Sequence, residues 1–164
     1  MVEPPAQDRR FANAYYNGDF FCIQSLAFHR IRVDDPAGRQ LLLPADASDA
    51  DLGQAVFDAL DASRFVSAQE MGDLRDLKTS QERYESWVAM LINRYGYKDR
   101  RAIFKNMRLC WIERRDDVIA SKPSRHDQLE GWQGDKTIED VIMSGTSAAW
   151  EIGTALRVAF GRCV

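Results

Sequence analysis

The stretch Asp51-Leu52-Gly53-Gln54-Ala55-Val56-Phe57-Asp58-Ala59-Leu60-Asp61-Ala62-Ser63 has a counterpart one hundred positions later, Glu151-Ile152-Gly153-Thr154-Ala155-Leu156-Arg157-Val158-Ala159-Phe160-Gly161-Arg162-Cys163. Leu52, Gly53, Ala55, Ala59, Leu60 and Ser63 align with Ile152, Gly153, Ala155, Ala159, Phe160 and Cys163. Apolar residues at three- and four-residue spacing predict two amphipathic helices, over about 48–63 and 148–161. The glycine and alanines on the same face let each helix lie close on whatever it packs against. The match reads as packing and marks a two-part scaffold rather than a chemical site.

Outward from the first copy, Ser48 and Asp51 form a capping box, and Pro44 ends a strand over Arg39–Leu43. That strand closes a hairpin with the aromatic and branched segment Phe20–Val33, through a type I turn at Asp35-Pro36-Ala37-Gly38. Outward from the second copy, Ser147 is placed to cap the helix, and a strand near Glu139–Met143 precedes it. Met107–Glu113 and Asp117–Ser121 flank Arg114-Arg115-Asp116 as a second hairpin, with Pro123 ending its outgoing strand. Between the copies, Thr79 and Glu82 make another capping box. The helix they open carries Tyr84, Trp87, Val88, Leu91, Ile92 and Tyr95 on one apolar face and stops at Gly96. A short helix over Asp99–Lys105 follows, and residues 65–78 lack clear periodicity, which predicts an irregular connection. The sum is an α+β fold, a mainly antiparallel sheet with helices packed against it and an internal two-part repeat.

The 164 residues fit a single domain, 1–164, with a loose start over Met1–Arg10. Hydrophobic residues at 45% and charged ones at 29% are globular proportions, and no apolar run approaches the length of a membrane span. Glu3 and the Pro4/Pro5 pair are unlike a secretion signal, so the expected compartment is the cytoplasm. Cys22, Cys110 and Cys163 are far apart in sequence, with only His29 and His126 to join them, which predicts free thiols rather than a metal cluster.

Nothing in the chain announces nucleophilic catalysis, because neither histidine stands in a triad-like context. Asp46, Asp49 and Asp51 are dense, but neither register of an EF-hand loop supplies both its glycine and its glutamate, and a helix N-terminus favours acids in any case. Lys98, Arg100, Arg101, Lys105 and Arg108, with Tyr97 and Phe104, form the one basic segment that nucleic acid could use. No glycine-rich phosphate loop is present, and no cofactor is implied. The net charge is −3, and residues 1–79 hold 13 acids against 8 bases, a balance that repels nucleic acid and suits a basic partner. On the first repeat helix Asp51, Gln54, Asp58 and Asp61 fall along one polar stripe.

The order and spacing of several segments resemble a known family. These are the Tyr84–Trp87 helix with Tyr95, Gly96 and Tyr97; then Ile103, Phe104, Lys105, Asn106, Met107 and Cys110; then Pro123, His126 and Trp132. Ser147, Glu151, Ile152, Gly153, Ala155 and Leu156 follow, and Leu52, Gly53, Ala55, Leu60, Ser63 and Arg64 match in the first half. The pattern is similar to that of contact-dependent growth inhibition immunity proteins.

The resemblance implies a small cytoplasmic protein that is not an enzyme. Such a protein binds and blocks the C-terminal toxin domain of a large exoprotein, and that toxin is expected to be a basic nuclease, of ribonuclease A-like fold. The expected toxin contacts are Asp46, Asp49, Asp51, Asp58 and Asp61, with Asp34, Asp35, Asp116 and Asp117 as a second set. Two other readings are a small enzyme whose site assembles only in three dimensions, and a nucleic-acid-binding protein using Lys98–Arg108. A deep pocket holding a histidine and a carboxylate would favour the enzyme.

Overall fold

The computed structural model describes residues 8–164, and every count and absence below refers to those residues. The chain runs β1 (Arg9–Tyr16), β2 (Phe20–Phe28), β3 (Arg32–Asp34), β4 (Gln40–Pro44), α1 (Asp49–Asp61), β5 (Arg64–Phe65), α2 (Ala68–Leu74), α3 (Leu77–Tyr95) and α4 (Arg100–Phe104). It continues with β6 (Arg108–Arg115), β7 (Val118–Gln128), β8 (Gly131–Gly134), β9 (Val141–Ser144) and α5 (Ala149–Arg162). One sheet of nine strands has the order β3-β2-β1-β6-β7-β8, with β4 beside β2, β9 beside β7, and β5 parallel to β2. All other pairings are antiparallel.

This order is symmetric about the β1/β6 pair. The run β1-β2-β3-β4-α1 is repeated as β6-β7-β8-β9-α5, and Ala12 lies opposite Ile112, its equivalent one hundred positions on. The two repeat helices pack on each other with the same symmetry. A Cβ on Gly53 would lie 1.6 Å from the carbonyl oxygen of Ala149, and one on Gly153 would lie 1.9 Å from that of Asp49. Each glycine is thus the place where the other helix's first turn makes contact, so the small-residue face belongs to a helix–helix seam. Helices α2 to α4 are inserted between the two copies.

Adjacent residues of β2 face opposite sides of the sheet and bury two separate cores, which is why the strand shows no polar alternation. Phe21 and Ile23 join Ala12, Ala14, Cys110, Ile112 and Ile119 beneath α1 and α5, against Leu52, Val56, Leu60, Ile152, Leu156 and Phe160. Phe20 and Cys22 meet Val88 and Leu91 of α3, and Ile103, Phe104 and Met107, on the other side. Each fully buried side chain of this size contributes about 1.5–3 kcal/mol of transfer free energy. Buried serines fasten α1 to the strands: Ser25 Oγ donates to Ala59 O at 2.7 Å, and Ser63 Oγ donates to Leu26 O at 2.6 Å while accepting from Phe11 N at 3.0 Å.

Several local expectations change. The loose start expected over Met1–Arg10 lies outside the described residues as far as Gln7, and Arg9 and Arg10 open β1, a strand at the centre of the sheet whose four middle residues are all buried and so carry no two-residue period. Residues 65–78 are not irregular: Ser67 accepts from Glu70 N and caps α2, which is too short for its pattern to show, with Met71 alone buried. Helix α3 starts two residues before Thr79, because Asp76 is its N-cap and accepts from both Thr79 N and Thr79 Oγ1. Ala148, not Ser147, caps α5, with its N–H donating to Glu151 Oε1 at 3.1 Å. Pro123 does not end β7. It lies between the part paired with β9, up to Ser121, and the part paired with β8, from Ser124, where a missing N–H removes no bond to an outer neighbour. Asp35–Gly38 does form a turn, Gly38 N donating to Asp35 O at 3.0 Å, but it joins β3 to β4, and both pair with β2. Gly96 ends α3 in the left-handed region at φ 69°, as its position predicts.

Candidate functional site

The carboxylates expected at an interface divide into those that hold the fold together and those that face outward. Asp49 accepts from Arg157 Nε at 2.6 Å and Thr154 Oγ1 at 3.1 Å, and these contacts, Arg157 first, hold its carboxyl below the ordinary range. Arg157 also donates to Ala47 O. The charge difference between the repeat helices is therefore spent in part on their own seam, an acid of α1 on a base of α5. Asp61 accepts from Arg114 at 2.9 Å. Asp35 has a fully covered side chain gripped by the Arg64 fork at 2.7 and 2.9 Å; burial alone would raise its pKa, and the Arg64 and Ala37 N–H bonds bring it below the usual value. Asp116 takes the turn position at φ 51° and accepts from Asp8 N.

Without an ion pair remain the exposed Asp46 before α1, Asp51 on it, Asp117 at the β6–β7 turn and Asp34, together with the half-buried Asp58 of α1. Asp58 accepts from Gln54 at 2.9 Å, one turn away on the same helix. Asp51 and Asp58, two turns apart, share a side of α1 and Asp46 precedes that helix, whereas Asp34 lies in β3, on the face of the sheet that carries α3.

Asp34 lines a cleft of about 950 Å³ between the β2–β3–β4 edge and the helices α2 and α3. Gln24, Val33 and Gln40 line the strand side, and Leu74, Arg83, Ser86, Trp87 and Met90 the helix side. Crowding by these walls raises the Asp34 pKa, opposed by Arg83 and Gln24. The Trp87 indole on the cleft wall has its Nε1 buried behind the opening, where it opposes the rise that burial imposes on the Cys22 thiol. No local pattern signals this site, because its walls are brought together from segments as much as about sixty residues apart only by the insertion of α2 and α3.

Neither histidine lines the cleft. His29 Nδ1 bonds Val66 O at 2.9 Å, and His126 Nε2 bonds Leu129 O at 2.8 Å while stacking on Trp132 at 5.0 Å. Both are held by backbone carbonyls, with no carboxylate to orient them as bases. Among the described residues no group of three or more His, Cys, Asp or Glu side chains could hold a metal ion, and no helix is long and apolar enough to cross a membrane. In the basic segment, Arg100 is tied to Glu85 at 2.5 Å and Glu130 at 2.6 Å, and Arg108 donates to Phe160 O, leaving Lys98, Arg101 and Lys105 exposed.

Known proteins similar to this chain fall in one family. Residues 10–163 match the family described as CDI immunity protein. The chain is 40% identical to the immunity protein CdiI-YPIII of Yersinia pseudotuberculosis serotype O:3 (strain YPIII), over 93% of this chain and 94% of that protein. Among solved structures it is similar to a chain of the CdiA-CT/CdiI toxin and immunity complex from Yersinia pseudotuberculosis, at 37% identity and a TM-score of 0.86, over 95% of this chain and 98% of that one. It is also similar to a protein of unknown function, NMB0488, from Neisseria meningitidis, at 34% identity and a TM-score of 0.91 over 100% of both chains. The chain belongs to the family of contact-dependent growth inhibition (CDI) immunity proteins.

Proposed function

We propose that this protein binds and neutralises a cognate CdiA C-terminal toxin domain in the cytoplasm, by occupying the toxin's surface and not by catalysis, and that the toxin is a basic nuclease. The observation that carries the reading is similarity over 95% of this chain to a chain of a toxin and immunity complex, joined to a cleft of mixed polar and apolar lining that could seat a protein partner. A nuclease needs a positive cleft to hold phosphates, so an inhibitor gains from carboxylates facing it. Asp46, Asp51 and Asp58 supply a long-range field that steers the encounter, and the cleft at Asp34, Gln40, Ser86 and Trp87 seats the toxin.

Steering and seating separate kinetically. Charge reversal at Asp51 and Asp58 should slow association with the toxin domain encoded beside this gene by roughly tenfold at low salt, and the effect should fade at high salt. Filling the cleft with Ser86→Trp or Gln40→Trp, both exposed positions, should leave association nearly unchanged and speed dissociation. The purified toxin should degrade RNA or DNA and stop doing so with one equivalent of this protein. A toxin without nuclease activity removes the nuclease part of the reading, and a chain that neither binds nor protects removes all of it.

A further inference from the structure

Two thiols that are 53 residues apart in the sequence meet in the fold. Cys110 on β6 is fully buried beneath the repeat helices. Cys163 is the C-cap residue of α5 and is half-buried, and its Sγ lies 3.7 Å from that of Cys110, at van der Waals contact. Both are free thiols. Cys163 alone of the pair borders a cavity of about 380 Å³, whose walls include Arg108, Ser124, His126 and Trp132. A small solute can therefore reach one sulfur and not the other.

The electrostatics separate the two in the same direction. The Cys163 thiol is held down at about 7, first by the hydrogen bond with Cys110 and then, against burial, by Ser124 and Arg108. Burial pushes Cys110 well up. Cys163 is thus the sulfur that ionises and attacks, and Cys110 the one that waits behind it. Closing 3.7 Å to the roughly 2.05 Å of an S–S bond requires less than 2 Å of movement. Rotation of the Cys163 side chain can supply much of it, on a backbone that has left the helix at ψ 142° and is held by Val164 N donating to Ser124 O and His126 N donating to Val164 O.

We infer that Cys163 and Cys110 form a peroxide-responsive dithiol that closes to an intramolecular disulfide joining α5 to β6. The Cys163 thiolate attacks one oxygen of hydrogen peroxide. An S–O bond forms, the O–O bond breaks, and the departing hydroxide takes up a proton as water. Cys110 sulfur then attacks the resulting sulfenic acid: the S–S bond forms, the S–O bond breaks, and the hydroxyl leaves with the Cys110 proton as a second water. Two thiols supply two electrons, and one peroxide is reduced to two waters. Cys22 takes no part, since it lies on the opposite face of the sheet among the residues under α3.

The test uses the full chain, treated with a small excess of hydrogen peroxide and then alkylated. Expected are a loss of two hydrogen atoms by intact mass, reversal by dithiothreitol, and one proteolytic peptide pair linking Cys110 to Cys163, with Cys22 still alkylated. Cys22→Ser should behave identically, whereas Cys163→Ser should not close. Oxygen atoms added at Cys163 while Cys110 remains alkylatable, a disulfide between two molecules, or no change in mass would each overturn the proposal. The peptide map is read on the unsubstituted chain, so the result does not depend on any variant folding.

Discussion

Glu113 shows how one side chain in this sheet acquires a property that its neighbours in sequence do not predict. Pairing of β1, β6 and β7 surrounds its carboxylate with Lys122 at 3.1 Å, Arg115 at 2.9 Å and Arg9 at 3.2 Å, and leaves the side chain 8% exposed. Burial alone would push its pKa up, but the bonds from Lys122, Arg115 and Arg9 overcome this and hold it at about 2, against an ordinary 4.5. A group depressed in the folded state contributes stability in full above its unfolded pKa and loses it as pH falls through the folded value. Denaturant midpoints should therefore decline between about pH 4.5 and 2, and Glu113→Gln should flatten that decline. At pH 7 the substitution should cost about 2 kcal/mol, since it strands cations that remain half-exposed. An unchanged acid slope in the variant would show that other carboxylates set it. In sequence Glu113 is simply an acid beside two arginines; Arg9 and Lys122 reach it only through strand register.

Among the elements, the α1/α5 seam was the most legible and the α2 segment the least. Small residues at Gly53, Ala55 and Ala59, and again at Gly153, Ala155 and Ala159, are a local pattern, and local patterns survive into the fold. The pattern announced that each helix lies close on something, without naming the other copy as that something. Gly153→Ala should force the seam apart, because the added Cβ would meet the backbone carbonyl of Asp49, which cannot rotate away. A loss of about 2–3 kcal/mol in chemical denaturation is expected. Gly161→Ala, in the same helix but with nothing within 4 Å of the added Cβ, should be neutral or stabilising by up to about 1 kcal/mol. Equal effects at the two sites would mean the seam yields. Helix α2 escaped notice because seven residues with one buried side chain leave no period to read, and β1 because a strand buried at its centre alternates nothing.

For the whole molecule, the two copies share one sheet through β1/β6 and one helical seam through α1/α5, so neither buries its apolar face alone. Circular dichroism and the fluorescence of Trp87, Trp111, Trp132 and Trp150, which lie in both the inserted helices and the second copy, should report a single coincident unfolding transition. Two separated transitions would show that the inserted helices form an independent unit. The sequence by itself determined the class of fold, the two-part repeat, most helices and turns, and, through the order of its motifs, the family, because these rest on local periodicity, capping and turn chemistry. Only the tertiary structure decided which carboxylates pair with a base. It paired Asp35, Asp49 and Asp61 with Arg64, Arg157 and Arg114, covering Asp35 alone, left Asp46, Asp51 and Asp58 without an ion pair, and placed Asp34 in the cleft. It alone set Cys110 against Cys163. Such pairings join residues from distant parts of the chain, and their partners are fixed by sheet register and helix docking, which no single segment encodes.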